Sequence, residues 1–489
     1  MRLLDEGLSL GIKNISEIVI LKTRDEMSDI LFGLQYFLDE KRNTGLKSLL
    51  EMIRKDLTKG KSDKVGRKGM PAQTALALYI LRKGTNKDYA ALEWAFHNDK
   101  TFRELLGDSM FNPLPEYDET TIHQNLQKIN NKTIRKINKT IVKMAIKEGF
   151  EKGGKIRGDS FVCQTNIHRP SENTLLLDCA RVIIRLSIEL SGLKLCEWQQ
   201  HESLLKKIKA NSHNIGKSRR SKSSKKEPRI KVLYRELFGR IKYLINKTFL
   251  DLKVAEAYMK MKQTADLPEK ISRYDELSFV IILAEKIMDM ANRRIFLNEK
   301  IENREKIFSI FELHTELINR GKFPVSIEFG HKIFLHQSES KFIIDYSVME
   351  KGATDASVLN PSLVWIKENF KELIFNVGAY DKGFNSKPED NELLKSLLKK
   401  VVISKRGKLT DEEKEIEHSK EFIKTRLWRA GIESLISSLS RGNGMALCPD
   451  KGLKNYQKHI GGCVAARNIQ TLGGYLKQRE LENERKMTA

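Results

Sequence analysis

Apolar residues recur every third or fourth position in ILFGLQYFLDEKR and LKSLLEMIRKDL, and this spacing predicts packed helices within residues 1–60. After the polar loop KGKSDKVGRKG, Pro71 opens a helix predicted to run through AQTALALYILRK and to stop at Gly84. KDYAALEWAFH follows as a second helix. In PLPEYDETTIHQNLQKI, Asp118 stands where a carboxylate caps a helix with Ile122, Leu126 and Ile129 on its apolar face. Thr121, Gln124 and Lys128 fall on the opposite face. TIRKINKTIVKMAIKEG puts Ile134, Ile137, Ile141 and Met144 on one seam and closes the helical region near residue 150.

The period then shortens to two. GGKIRGDSFVCQTNI alternates apolar and polar residues from Ile156 to Val162 and predicts a strand with Asp159 inside it. From Leu175 to about Gly321 the helical pattern returns. VSIEFGHKIFLHQ and FIIDYSVM flank SESK as a hairpin within 325–349. A helix around PSLVWIKENFKEL, the strand LIFNVGAY ending at Asp381, a helix in EDNELLKSLLKK and the short strand KVVISK follow. HSKEFIKTRLWRAGIESLISSLS then reads as one long helix containing Glu433, and the tail is helical. This order predicts an α/β protein, mostly helical overall, whose mixed sheet is flanked by helices.

Charge sharpens the picture. The 489 residues include 88 Lys plus Arg against 64 Asp plus Glu, a formal charge of +24. Residues 206–231, rich in Ser, hold eleven basic residues and the single acid Glu227, so this tract is expected to stay out of any core. It reads either as a solvated flexible connector or as a basic arm that displaces counterions from a phosphate backbone. The remaining charge is spread along the chain and favours a long polyanion, nucleic acid above all. No apolar run reaches membrane-spanning length, the start lacks a signal-peptide pattern, and the five cysteines show no CxxC pair. These features predict a soluble intracellular protein without membrane partners and with reduced thiols.

Three acids suit phosphodiester chemistry. An anionic phosphorus repels a nucleophile and its leaving oxygen gains charge, two problems that a pair of divalent cations held by a few carboxylates answers. Asp159 lies among apolar strand residues, where a carboxylate is costly unless it binds a metal, finds a partner or reaches the sheet edge. Asp381 ends a strand just before the turn Lys382-Gly383-Phe384. The bland alternative for each is an Asp that caps a turn or pairs with a base.

Several blocks resemble, in order, the DDE transposases of bacterial insertion sequences, especially the ISNCY-like group. They are GDSFVCQTNIHRPSENTLLLDCARVIIRL, SIEFGHKIFLHQSESKFIIDYSVMEKGATD, VGAYDKGF and RAGIESLISSLSRGNGMALCPDKGLKNYQKHIGGCVAARNIQTLG. GRKGMPAQTALALYILRKGTNKDYAALEWAFHNDKTFRELLG is similar to the amino-terminal helical domain of such enzymes. The resemblance implies an RNase H-like catalytic core at 151–174 and 323–441, interrupted by a helical insertion at 175–322. It adds a helical DNA-binding region with a helix-turn-helix-like segment at 1–150 and a helical tail at 442–489. It also implies catalytic, metal-binding Asp159, Asp381 and Glu433 holding two Mg²⁺ ions, with Mn²⁺ able to substitute. The implied activity is cleavage at terminal inverted repeats and transfer of the freed 3′-hydroxyl to a target. The implied partners are double-stranded DNA and a second copy in a homodimer or larger synaptic complex, in a bacterial, nucleoid-associated setting. Related enzymes carry Tyr, Arg, Glu and Lys at set spacings on the Glu helix; here Arg429 precedes Glu433 by four residues, but Arg426 and Ser440 replace the Tyr and Lys, with Arg441 beside Ser440.

DNA contacts are expected from Thr121, Gln124, Lys128, Lys217, Arg219, Arg220, Lys382, Arg429 and Arg441. Asn166 and His168 fit either a DNA contact or a turn, and His331 either a phosphate donor or a hairpin histidine. Asp178 and Asp355 are expected to be paired or capping acids, outside the catalytic set. Cys448, His459 and Cys463 supply only three zinc-type ligands, too few for a structural site. Cys163 reads as a buried small hydrophobe, and Trp94, Trp365 and Trp428 as packing residues. Two other functional classes remain: a catalytically inactive, transposase-derived DNA-binding repressor, and a structural RNA- or chromatin-binding protein that uses its charge alone.

Overall fold

The computed structural model describes residues 12–59, 68–192, 201–261, 267–321, 326–385 and 388–488. The chain forms two compact units, one of Met1–Asn166 with Gly330–Ala489 and one of Ile167–Phe329. The larger opens with seven helices: α1 (Glu26–Leu38), α2 (Leu46–Thr58), α3 (Ala72–Thr85), α4 (Tyr89–Asn98), α5 (Lys100–Leu105), α6 (Glu119–Leu126) and α7 (Asn131–Lys147). Their starts follow cap chemistry. The side chains of Asp25, Asp88, Asp118 and Asn130 each accept from a backbone N–H of the first turn, satisfying donors that lack a helical partner. Two boundaries differ from the expectation. α3 continues through Gly84 and ends at Asn86, which adopts the left-handed conformation at φ 50°. α6 spans eight residues, so Ile129 and Lys128 lie in the turn beyond it rather than on the helix.

In the smaller unit, α8 (Glu172–Gly192), α9 (His201–Arg220), α10 (Lys226–Met261) and α11 (Leu267–Ile295) pack around a core of their own that includes Leu176, Ile183, Ile241 and Ile287. The basic tract is corrected here. It is helical on both sides of the 221–225 linker, and Ile208, Ile215 and Ile230 are buried in that core. Apolar residues spaced seven apart, 208 and 215, were enough to anchor a segment whose average composition suggested solvent. The helical pattern ends at residue 295, short of Gly321; residues 296–315 are irregular and β2 (Glu316–Asn319) is extended.

The sheet is open and mixed. Its strands are β1 (Gly154–Thr165), β2, β3 (Ile327–Ser338), β4 (Ile343–Val348), and, after α12 (Asp355–Asn369), β5 (Phe375–Tyr380). Then come α13 (Pro388–Leu397), β6 (Lys400–Ile403), α14 (Asp411–His418), α15 (Lys420–Ala430), α16 (Ile432–Arg441), β7 (Leu447–Cys448) and α17 (Leu453–Thr488). The path runs β2-β3-β1-β5-β6, with β4 also on β3 and β7 on β1. β3 is antiparallel to β1 and β4, whereas β5 is parallel to both β1 and β6. α12 begins at Asp355, six residues before Pro361, because the Thr354 hydroxyl caps it. The expected single helix from His418 through Glu433 is two, α15 and α16, with α14 ending at His418.

The segment read as a tail is central to the fold. α17 packs against α1, α3, α7 and β4. Its residues Ala465, Ala466, Ile469 and Leu472 enter one core, and Tyr456, Ile460, Cys463 and Val464 enter the core beneath β1 and β3. At Gly473 any side chain would overlap the Asp29 carbonyl of α1, so glycine permits backbone contact between the two helices. No described helix is long and apolar enough to cross a membrane.

Candidate active site

Strand register brings two of the predicted acids together. β1 and β5 pair in parallel with Ile156 opposite Gly378 and Arg157 opposite Ala379, where the ladder ends; Asp381 follows just beyond β5, and its charge acts on Asp159. Side chains alternate between faces, and Asp159 therefore shares the face of Arg157. Ala379 packs with Phe422 of α15 and with Trp428, and Phe161 of β1 with Ile432 and Leu435 of α16. Asp159 thus belongs to the side of the sheet covered by the helices that carry Arg429 and Glu433.

Asp159 is partly enclosed, with 21% of its side chain exposed. One oxygen, Oδ1, accepts from the Ser160 amide at 2.8 Å, and Arg429 Nη1 donates to Oδ2 at 3.3 Å. Burial pushes its carboxyl above the ordinary value. The Ser160 amide and the Arg429 guanidinium oppose this, while the charges of Asp381 and Asp355 add to it. Asp381 is exposed at the mouth of the turn Lys382–Phe384, and its side chain makes no capping bond. The turn is held from outside: Arg406 donates to the Lys382 and Gly383 carbonyls at 2.9 and 3.0 Å. Glu433 is exposed in the first turn of α16 and has no ion-pair partner among the described residues. Asp159, Asp381 and Glu433 do not converge as a closed ligand group; their oxygens are not within 4.8 Å of one another.

Arg429 and Glu433 straddle a break. Arg157, buried on β1, donates to Gln337 Oε1 from Nε and Nη2 at 3.0 and 2.7 Å and to the Trp428 carbonyl at 2.5 Å, with its guanidinium over the Trp428 ring. A side chain at Gly431 would overlap Arg157 Nη1. The strand arginine therefore occupies the notch between α15 and α16, which explains why the helix stops there. Trp428 packs on Arg157, as expected of a packing residue, and Trp365 lies edge-on to Phe370; Trp94 does not pack and is 67% exposed.

Sequence reasoning set Asp355 aside as a capping or paired acid, yet Thr354 does the capping. Asp355 Oδ1 accepts from Ser160 Oγ at 2.7 Å, lies 3.6 Å from Lys332 Nζ, and is near enough to Asp159 to disfavour its ionisation. Only the Ser160 position, next to Asp159, hinted at this. The remaining residues divide. Thr121 supplies the backbone N–H that Asp118 caps at 2.6 Å, and Gln124 is exposed on α6. Lys382 and Arg441 are exposed, as are Lys217 and Arg220 in the last turn of α9. Arg219 is already engaged: its Nη2 is 3.1 Å from Glu172 Oε2 and donates to the Tyr234 hydroxyl at 2.6 Å. Asn166 is exposed in a bend, His168 pairs with Asp178 at 2.6 Å, and His331 is buried edge-on to Tyr456 rather than facing a phosphate. Cys163 is buried, and burial pushes its thiol up to about 12, so it is no nucleophile.

A second cluster takes two of the three zinc-type residues read from the sequence, Cys448 and His459, but replaces Cys463 with Asp450. Cys448, Asp450 and His459 offer ligand atoms within 4.8 Å of one another. The cation among them is a lysine. Lys83 Nζ, 3% exposed, lies 3.1 Å from Asp450 Oδ2 and donates to His459 Nδ1 at 2.7 Å, while His459 Nε2 donates to the Gly444 carbonyl at 3.0 Å. Burial, and then the Lys83 ammonium, pushes His459 down to about 3. Burial acts to raise Asp450, but Lys83, Arg82 and His459 outweigh it and hold the carboxyl below its ordinary value. Cys463 Sγ donates to the Asn443 carbonyl at 2.9 Å. Comparison with protein-family models, curated proteins and solved structures returned no match.

Proposed function

We propose that this chain is a DDE-type DNA transposase, a metal-dependent polynucleotidyl transferase that cuts the terminal inverted repeats of an insertion sequence and joins them to a target. The observation that supports the reading is the parallel β1–β5 pairing, whose carboxyl ends lead to Asp159 and Asp381 near enough for their charges to interact, with Arg429 of α15 on Asp159. An RNase H-like assignment is supported by the strand path β4-β3-β1-β5-β6, with two antiparallel neighbours before and two parallel neighbours after the first helix of the fold's second half. The sequence blocks that resemble these enzymes include each of the three acids.

The residues suit a divalent cation. Asp159, Asp381 and Asp355 crowd negative charge that Arg429 and Lys332 offset only in part, and carboxylate oxygens are the donors that Mg²⁺ and Mn²⁺ prefer. Asp159 and Asp381 would hold the shared position and Glu433 would complete the set; bound metal would activate the attacking hydroxyl and stabilise the leaving oxygen. Arg429 must then yield Asp159 Oδ2, which its 3.3 Å contact at a partly open position allows. Exposed Lys382, Arg441, Lys217 and Arg220, with Gln124 on α6, would bind the DNA backbone or grooves, and a homodimer would hold two ends.

The test is Mg²⁺- or Mn²⁺-dependent nicking of a duplex carrying the inverted repeats that flank the gene. Wild type should nick, and Asp159→Ala should lose about 10³-fold or more, as removal of a charge-stabilising group at a reacting centre does. Nicking that survives Asp159→Ala would overturn the reading. Specific binding without nicking by wild type would leave the repressor in its place.

A further inference from the structure

The long helix α10 has two patterned faces. Tyr234, Leu237, Ile241, Leu244 and Leu252 turn one of them into the core of the smaller unit. The opposite face is exposed, yet it is ordered. Its residues step alternately by four and three, from Val232 through Gly239, Tyr243, Asn246 and Leu250 to Ala257, with Glu236 and Lys253 completing the series. This 3.5-residue repeat is the seam of a coiled coil, and at 1.5 Å per residue it runs about 38 Å. Tyr243 and Leu250 stand on it 59% and 66% exposed. The unit's own fold does not explain the glycine, because a side chain at Gly239 would meet nothing within 4 Å among the described residues. Glycine inside a helix is destabilising relative to alanine, and its use is to let another backbone approach. Glu236 is held ready: Asn211 donates to its Oε2 at 2.9 Å while about half of the side chain, 49%, stays exposed.

We propose that this face binds the same face of a second copy, with the two α10 helices antiparallel. A two-fold axis between Leu244 and Ile245 sets Leu250 of one copy against Gly239 of the other, Glu236 against Lys253, Tyr243 against Asn246 and Val232 against Ala257. Large meets small, acid meets base and phenol meets amide, and the symmetry repeats each pairing. A parallel pair would instead set Glu236 against Glu236 and Lys253 against Lys253, with glycine facing glycine. DNA does not fit a seam whose single base is matched by an acid. A membrane surface would have to strip water from Glu236 and Asn246. The pairing gives the homodimer of the transposase reading a surface, but it stands on α10 and not on the three acids.

Sedimentation equilibrium of the nuclease-treated full chain tests the pairing. Wild type is expected to form a dimer without DNA, and Leu250→Glu to weaken it about 10²-fold or more, as loss of a central contact does. Lys253→Glu should weaken it about tenfold, and adding Glu236→Lys should restore most of that loss, which a merely structural role for either charge would not produce. These positions are exposed, so thermal unfolding of the variants should match wild type. Should one fold poorly, Gly239→Leu carries the same information, since the fold leaves room for the side chain and the facing Leu250 does not. Asp159→Ala should dimerise as wild type does, so this surface and the transposase reading fail separately. A wild-type monomer, a dimer untouched by Leu250→Glu, or no recovery on the charge swap would overturn the proposal. So would uptake onto phosphatidylserine vesicles by a chain that stays monomeric in solution.

Discussion

Asp159 and Asp450 each sit in the larger unit with a basic side chain beside them, yet their surroundings make them opposites. Asp450 meets a lysine that is itself buried, a neutral imidazole and a second cation, Arg82, at 3.8 Å. Asp159 meets one arginine at 3.3 Å, two nearby carboxylates and partial exposure to solvent. In the first, the carboxylate is balanced from within by buried cations. In the second, negative charge is in excess and the cluster opens at a strand end. Convergence of ligand-type atoms, which favours the Cys448 group, is thus a poorer guide to metal chemistry than the sign of the leftover charge.

The contrast should break first at Lys83. Lys83→Met leaves Asp450 buried without its main partner, and the expected loss is about 3–5 kcal/mol in urea unfolding, the usual cost of orphaning a buried charge. A loss below about 1 kcal/mol would mean that the closed cluster is no structural lock.

Acid comes next. His336 and His459 are both held neutral, down to about 3, by burial, with Lys83 adding to the effect at His459. The unfolded chain takes up protons at these positions below about pH 6.5 and the folded chain does not. Stability is therefore expected to be full above that value and to fall as pH drops toward about 3, by up to roughly 1.4 kcal/mol per pH unit for each histidine. Asp450, held low, adds loss in the same direction at the acid end. Unfolding measured near neutral pH and near about pH 5 checks the slope, which His336→Gln should reduce.

The smallest effect is expected where the functional effect is greatest. Because burial raises the Asp159 carboxyl, the stability that this group contributes is present only below its unfolded value of about 4 and is lost as pH rises through the folded one. Asp159→Asn at neutral pH should leave the melting temperature unchanged or slightly higher, as scanning calorimetry would register. A marked loss would mark Asp159–Arg429 as a structural pair and merge the two clusters into one kind.

Much of this arrangement was legible in the order of residues. Alternation around Ile156–Val162 marked the strand that holds Asp159, and the apolar run ending at Tyr380 put Asp381 at a strand end. The seam of Ile134, Ile137 and Ile141 marked α7. What escaped depends on partners distant in sequence. Lys83 and Asp450 are 367 residues apart, so nothing local to either marks the pair. The break at Gly431 is enforced by Arg157 from another strand, and a helical period cannot register that. The basic tract misled because its composition outweighed the two isoleucines that bury it. Asp355 is paired as expected, but its partners Lys332 and Ser160 lie on β3 and β1, which its own neighbours in sequence do not announce.

The route of α17 through both layers of the larger unit bears on how the protein is made. Ribosomes deliver α1, α3 and α7 early, but the surface these helices share is finished only by residues 465–472, so the nascent amino-terminal half waits for its keystone with Ile30, Leu34 and Leu76 unsheltered. A message cut short before codon 453 should yield a product fit for aggregation or proteolysis rather than a freestanding binding module.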